Sequence, residues 1–105
     1  METKHTPGPW FATRAERYFY IFSEKQPNAA IPDFFAEIRA FEKDIEKSEA
    51  NARLIAAAPD LLEKCEIALS YIEAVCFNTP NPKKRKNYAD CAGQLRAAIA
   101  KATGE

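Results

Sequence analysis

One change of rhythm, near Asp44, constrains this chain more than any other feature. Before it, aromatic and β-branched residues dominate and alternate between two faces; after it, apolar residues recur every three or four positions. Strand-type sequence followed by helix-type sequence predicts an α+β fold, with helices laid on one face of a sheet. We expect a small three-stranded antiparallel sheet over about 10–42, followed by two to three helices over about 46–58, 59–77 and 87–102.

The first part, WFATRAERYFYIFSEK, breaks near Ala15 and Glu16 and reads as two strands joined by a short turn. In the second, Tyr18, Tyr20 and Phe22 share one face, with Phe19 and Ile21 on the other. Apolar residues on both faces of a strand predict a central position in the sheet. KQPNAAIPD is a loop, and FFAEIRAFE a third strand in which Phe35, Glu37, Arg39 and Phe41 alternate with Phe34, Ala36, Ile38 and Ala40.

The helical part opens with SEANARLIAAA, where Ala50, Leu54, Ala57 and Ala58 fall at helical spacing. Pro59 lacks the N–H for an interior helix bond, so it interrupts this helix and starts the next. The second helix carries Leu61, Leu62, Cys65, Ala68, Leu69, Ile72, Val75 and Cys76 on one stripe. NTPNPKKRKN reads as a polar loop, and the last helix presents Tyr88, Cys91, Ala92, Leu95, Ala98, Ile99 and Ala102 before stopping near Gly104.

At 105 residues the chain is expected to form a single domain. Its fifteen basic and fifteen acidic side chains cancel, which argues against a generally basic duplex-DNA binder and leaves only local patches. With no secretory-type apolar start and no run of about 20 apolar residues, the expected location is the cytoplasm. Cys65, Cys76 and Cys91 form no CxxC pair and have no histidine at a ligand spacing, so buried thiols are expected, with no zinc or other metal site. There is no Gly-rich phosphate loop, no GxSxG and no HExxH, so neither an enzyme nor a cofactor is expected.

Two separated stretches, HTPGPW at 5–10 and ANARLIAAAPDLLE at 50–63, resemble the hallmarks of a family of small proteins encoded by tailed bacteriophages and prophages. The closing RAAIAKATGE is similar to the way many of them end. The resemblance implies a phage or prophage accessory protein acting in the host bacterial cytoplasm. Such proteins often modulate the host or block its antiviral defences.

Three candidate sites follow from the residues. In HTPGPW, two prolines around Gly8 make a preformed bend that presents His5 and Trp10 or tucks Trp10 into the core. Asn51 and Arg53 lie early in the first helix, where an arginine helps to hold a phosphate or carboxylate. If Trp10, Asn51 and Arg53 line a common pocket, with His5 a further candidate for ligand binding, base stacking and phosphate pairing suit a small anionic, nucleotide-like ligand. The third site is the basic run Lys83, Lys84, Arg85 and Lys86, which attracts nucleic acid or an acidic partner.

The leading expectation is therefore a non-enzymatic counter-defence or host-modulating protein that sequesters a small anionic ligand, with no membrane partner. A protein-binding inhibitor of a host defence complex is the alternative, and a nucleic-acid module using 83–86 the third. The two-faced aromatic strand and alanine-rich helices favour a homodimer.

Overall fold

The computed structural model describes residues 4–23, 34–39 and 44–105. The predicted loop at 25–33 and the strand positions Ala40 and Phe41 lie outside the described residues. The chain divides into two compact units, Met1–Asp60 and Leu61–Glu105.

The first unit holds β1 (Phe11–Ala15), β2 (Tyr18–Phe22), β3 (Ala36–Arg39) and helix α1 (Ile45–Ala56). The sheet is antiparallel in the order β1-β2-β3, so the doubly apolar strand is central, as its sequence predicts. Register pairs Phe11 with Phe22 and Thr13 with Tyr20 on one side, and Tyr20 with Glu37 and Tyr18 with Arg39 on the other. The hairpin turn between β1 and β2 puts Glu16 at φ 53°, a left-handed conformation that costs a non-glycine residue free energy.

Period-two alternation sends Phe19 and Ile21 to the face covered by α1. There they form the core with Ala52, and Trp10, Ala36, Ile38 and Ala56 pack around it. The inner face of α1 is thus the line through Ser48, Ala52 and Ala56, with Ser48 and Ala52 buried. This corrects the face expected through Ala50, Leu54 and Ala57: Leu54 is 63% exposed. Small side chains let the helix backbone approach a sheet surface already filled by Phe19 and Ile21, so hydrophobicity alone points to the wrong stripe.

The second unit is built from helices α2 (Ala58–Asn78), whose first turn starts in the first unit, and α3 (Pro82–Thr103). Pro59 sits in the first turn of α2, where a missing N–H costs nothing. Leu62, Cys65, Ala68, Leu69, Ile72, Val75 and Cys76 form a half-buried stripe, and on α3 Tyr88, Leu95 and Ile99 are half-buried and Ala92 fully buried. At the three-residue connection the Cys76 thiol donates to the Arg85 carbonyl at 3.4 Å. The expected stripes are narrower than predicted, since Leu61, Cys91, Ala98 and Ala102 are exposed. The thiols are free, with Cys65 and Cys76 half-buried and Cys91 on the surface, not all buried as expected.

The largest departure concerns the basic run. Residues 83–86 belong to the first turns of α3, which begins at Pro82 and not near 87. The Asn81 side chain accepts hydrogen bonds from the backbone N–H groups of Lys83 and Lys84, and Pro82 pre-sets the helical φ. Asn-Pro therefore acts as a cap and first helical residue, not as a loop dipeptide. At the other end Gly104, at φ 78°, closes the helix through its N–H to the Ala100 carbonyl.

Candidate functional site

The N-terminal bend is seated on the first unit through its glycine. A Cβ added to Gly8 would lie 2.9 Å from the Cβ of Pro59, so the bend and the start of α2 meet at a distance only glycine permits. The Gly8-Pro9 peptide bond is cis. The Thr6 carbonyl then accepts from His5 Nδ1 at 2.8 Å and from the Trp10 indole N–H at 3.0 Å. The half-buried Trp10 ring stands edge-on to Phe35 at a centroid distance of 4.8 Å and to His5 at 6.1 Å.

Of the four ligand-binding candidates, this geometry joins His5 and Trp10. Trp10 is an anchor: its N–H is used inside the bend, and it packs against the core of Phe19, Ile21 and Ala52. Asn51 and Arg53 flank Ala52 and are both exposed, and they lie in the second half of α1, Arg53 in its last turn, not near the helix start as expected, because the helix begins at Ile45. The Arg53 guanidinium, 75% exposed, pairs with Glu49 one turn earlier on α1. The contact the sequence did not foretell is Gly8 against Pro59; a residue without a Cβ and a ring with a fixed φ, each inside a quoted motif, were its only available signal.

A second feature lies on the opposite face of the sheet, away from α1. Tyr18, Tyr20 and Phe22 alternate to this side, and neighbouring rings extend them into one aromatic surface. Phe11 stacks on Phe22 at 5.7 Å, Tyr18 lies 6.0 Å from Tyr20, and Phe34 reaches Tyr20 at 4.4 Å. Phe34 is 42% exposed and Phe11 36% exposed, Tyr18 and Tyr20 are half-buried, and Phe22 is buried at 7%. Glu37 and Arg39, opposite Tyr20 and Tyr18, give this surface a charged margin. Desolvation, then the Glu37 carboxylate, pushes the Tyr20 phenol above its ordinary pKa.

The third feature is the exposed basic run at the start of α3, whose Lys86 pairs with Asp90 at 3.4 Å. Among the described residues there is no group of three or more His, Cys, Asp or Glu that could hold a metal ion. Among them, too, no helix is long and apolar enough to cross a membrane.

With this geometry in hand, comparison with known proteins is informative in one respect. The model of the family described as Salmonella phage P22 protein Y8K6 matches residues 1–105. The chain belongs to this phage protein family. No curated protein and no solved structure matches it. Family membership accounts for a phage origin, and the surfaces described above must carry any argument about what the protein does.

Proposed function

We propose that this member of the family is a phage accessory protein that acts in the host by binding, not catalysis, and that it binds a host protein through the aromatic outer face of its sheet. The observation that carries the reading is the run of rings from Phe11 to Phe34 on the face away from α1, in which Phe11 and Phe34 are exposed, Tyr18 and Tyr20 half-buried, and the buried Phe22 supports them from beneath. Tyrosine and phenylalanine bring large contact area at small entropic cost, and a charged margin sets orientation, which is the anatomy of a protein-binding patch. Occluding a host defence complex is the role this patch serves best. The nucleotide-pocket reading has less behind it, because Arg53 is paired with Glu49 and Trp10 is committed to the core.

The test is capture from infected cells, comparing the wild type with Phe34→Asp and Arg53→Ala. The expected result is one defined host protein retained by wild type and Arg53→Ala and lost with Phe34→Asp, followed by the same pattern with that protein purified. An unchanged melting temperature for Phe34→Asp shows that the fold is intact. If Phe34→Asp instead converts a wild-type dimer to a monomer, a second copy occupies this face and the host-protein reading falls.

A further inference from the structure

The outward side of α3 concentrates charge in a way that its own unit leaves unanswered. Along this helix stand Lys83, Lys84, Arg85, Lys86, Arg96 and Lys101 against a single acid, Asp90, in a chain whose overall charge is zero. All six cations are exposed, and of these six only Lys86 pairs with a carboxylate among the described residues. Four of the six crowd the first turns, where the helix dipole is positive and acidic residues would stabilise better. The Asn81 cap already satisfies the Lys83 and Lys84 N–H groups, so the side chains, not the helix end, are what an anion meets.

Helical spacing sorts these cations. Arg85, Ala89, Gly93, Arg96 and Ala100 follow at intervals of three and four, with Lys86 and Ala97 beside them, next to the half-buried stripe of Tyr88, Ala92, Leu95 and Ile99. Between Arg85, Arg96 and Lys86 the floor is alanine and glycine, with Gly93 and Ala100 half-buried, while Asp90 stands on the Lys86 side; a Cβ built on Gly93 meets nothing within 4 Å. A protein partner would need an apolar anchor on this face, and none is there. From Arg85 to Arg96 the helix rises about 16 Å, long enough to follow several consecutive phosphates.

We infer that the outward face of α3 binds the phosphodiester backbone of nucleic acid without reading its bases. The small floor lets a polyanion approach closely, while Arg85 and Arg96 along one line and Lys86 and Lys101 on the flank beside it contact successive phosphates. The bound phosphates also offset the cations that the helix dipole disfavours. This surface is independent of the aromatic face and belongs to the other unit.

The experiment measures binding of the full chain to duplex DNA and to single-stranded RNA of about 20 nucleotides, starting near 50 mM salt. Binding to either probe should weaken with salt, with a logarithmic slope of about −3 to −5 for the duplex, roughly 0.9 per phosphate contact. The quadruple change of Lys83, Lys84, Arg85 and Lys86 to Gln, and separately the pair Arg96→Gln with Lys101→Gln, should each weaken binding about tenfold and flatten that slope. Phe34→Asp should bind as the wild type does, so the fate of the aromatic-face reading does not decide this one. Absence of binding at low salt overturns the proposal, as does an Arg96→Gln, Lys101→Gln protein that binds normally. Competition by polyglutamate as effective as by unlabelled nucleic acid also overturns it, in favour of an acidic protein partner.

Discussion

At the scale of single residues, two glycines of this chain make opposite demands. Gly8 stands against Pro59 so closely that a methyl group would require the bend or the start of α2 to move. Gly8→Ala is therefore expected to destabilise the protein by about 1–3 kcal/mol, read as a lower urea midpoint. Gly93 is the internal control: its side faces open space and its backbone is ordinary helix, so Gly93→Ala should stabilise by about 0.5–1 kcal/mol. Should Gly8→Ala prove neutral, the bend is not held on Pro59 and Trp10 loses its role as an anchor. The indole could be weighed as anchor or ligand contact from the sequence, but its seat could not be read there. That seat depends on a contact between residues far apart in the chain, and no local pattern encodes such a pairing.

At the scale of elements, what was legible depended on whether the deciding interactions were local. The central strand announced itself because apolar side chains on both faces of Tyr18–Phe22 have few other places to go. The inner face of α1 was hidden, since Ser48, Ala52 and Ala56 look neutral until the bulky residues beneath them are known. The start of α3 was misread because Asn-Pro serves loops and helix caps alike, and only the strong helix formers after it decide between them. That cap makes a measurable contribution. Asn81→Ala removes the acceptor for two backbone N–H groups at a helix end already loaded with positive charge, so a loss of about 1 kcal/mol is expected. Amide exchange should locate the effect at Lys83 and Lys84, and if their protection is unchanged, the cap is not what starts the helix.

At the scale of the whole molecule, the two units rely on different amounts of buried surface. The first has a defined core in which Ile21 is 0% exposed, held between Phe19, Ala52 and the side chains around them. The second has one fully buried side chain, Ala92, and two half-buried stripes. Removing atoms from Ile21 leaves a gap that Ala52, a single methyl group fixed on a helix, cannot fill by changing rotamer. Ile21→Ala is accordingly expected to cost about 2–5 kcal/mol, a large share of the roughly 5–15 kcal/mol that holds a small protein folded. Hydrogen exchange should show β2 amides losing protection in step with the lower urea midpoint, since β2 is the strand through which both neighbours are attached. The aromatic face depends on the same strand: Tyr20 and Phe22 alternate with Ile21, so loosening the inner face releases the outer one. An Ile21→Ala protein that kept both its urea midpoint and the capture expected of the wild type would separate core from surface and remove the physical basis for the proposal that places a binding patch on this sheet.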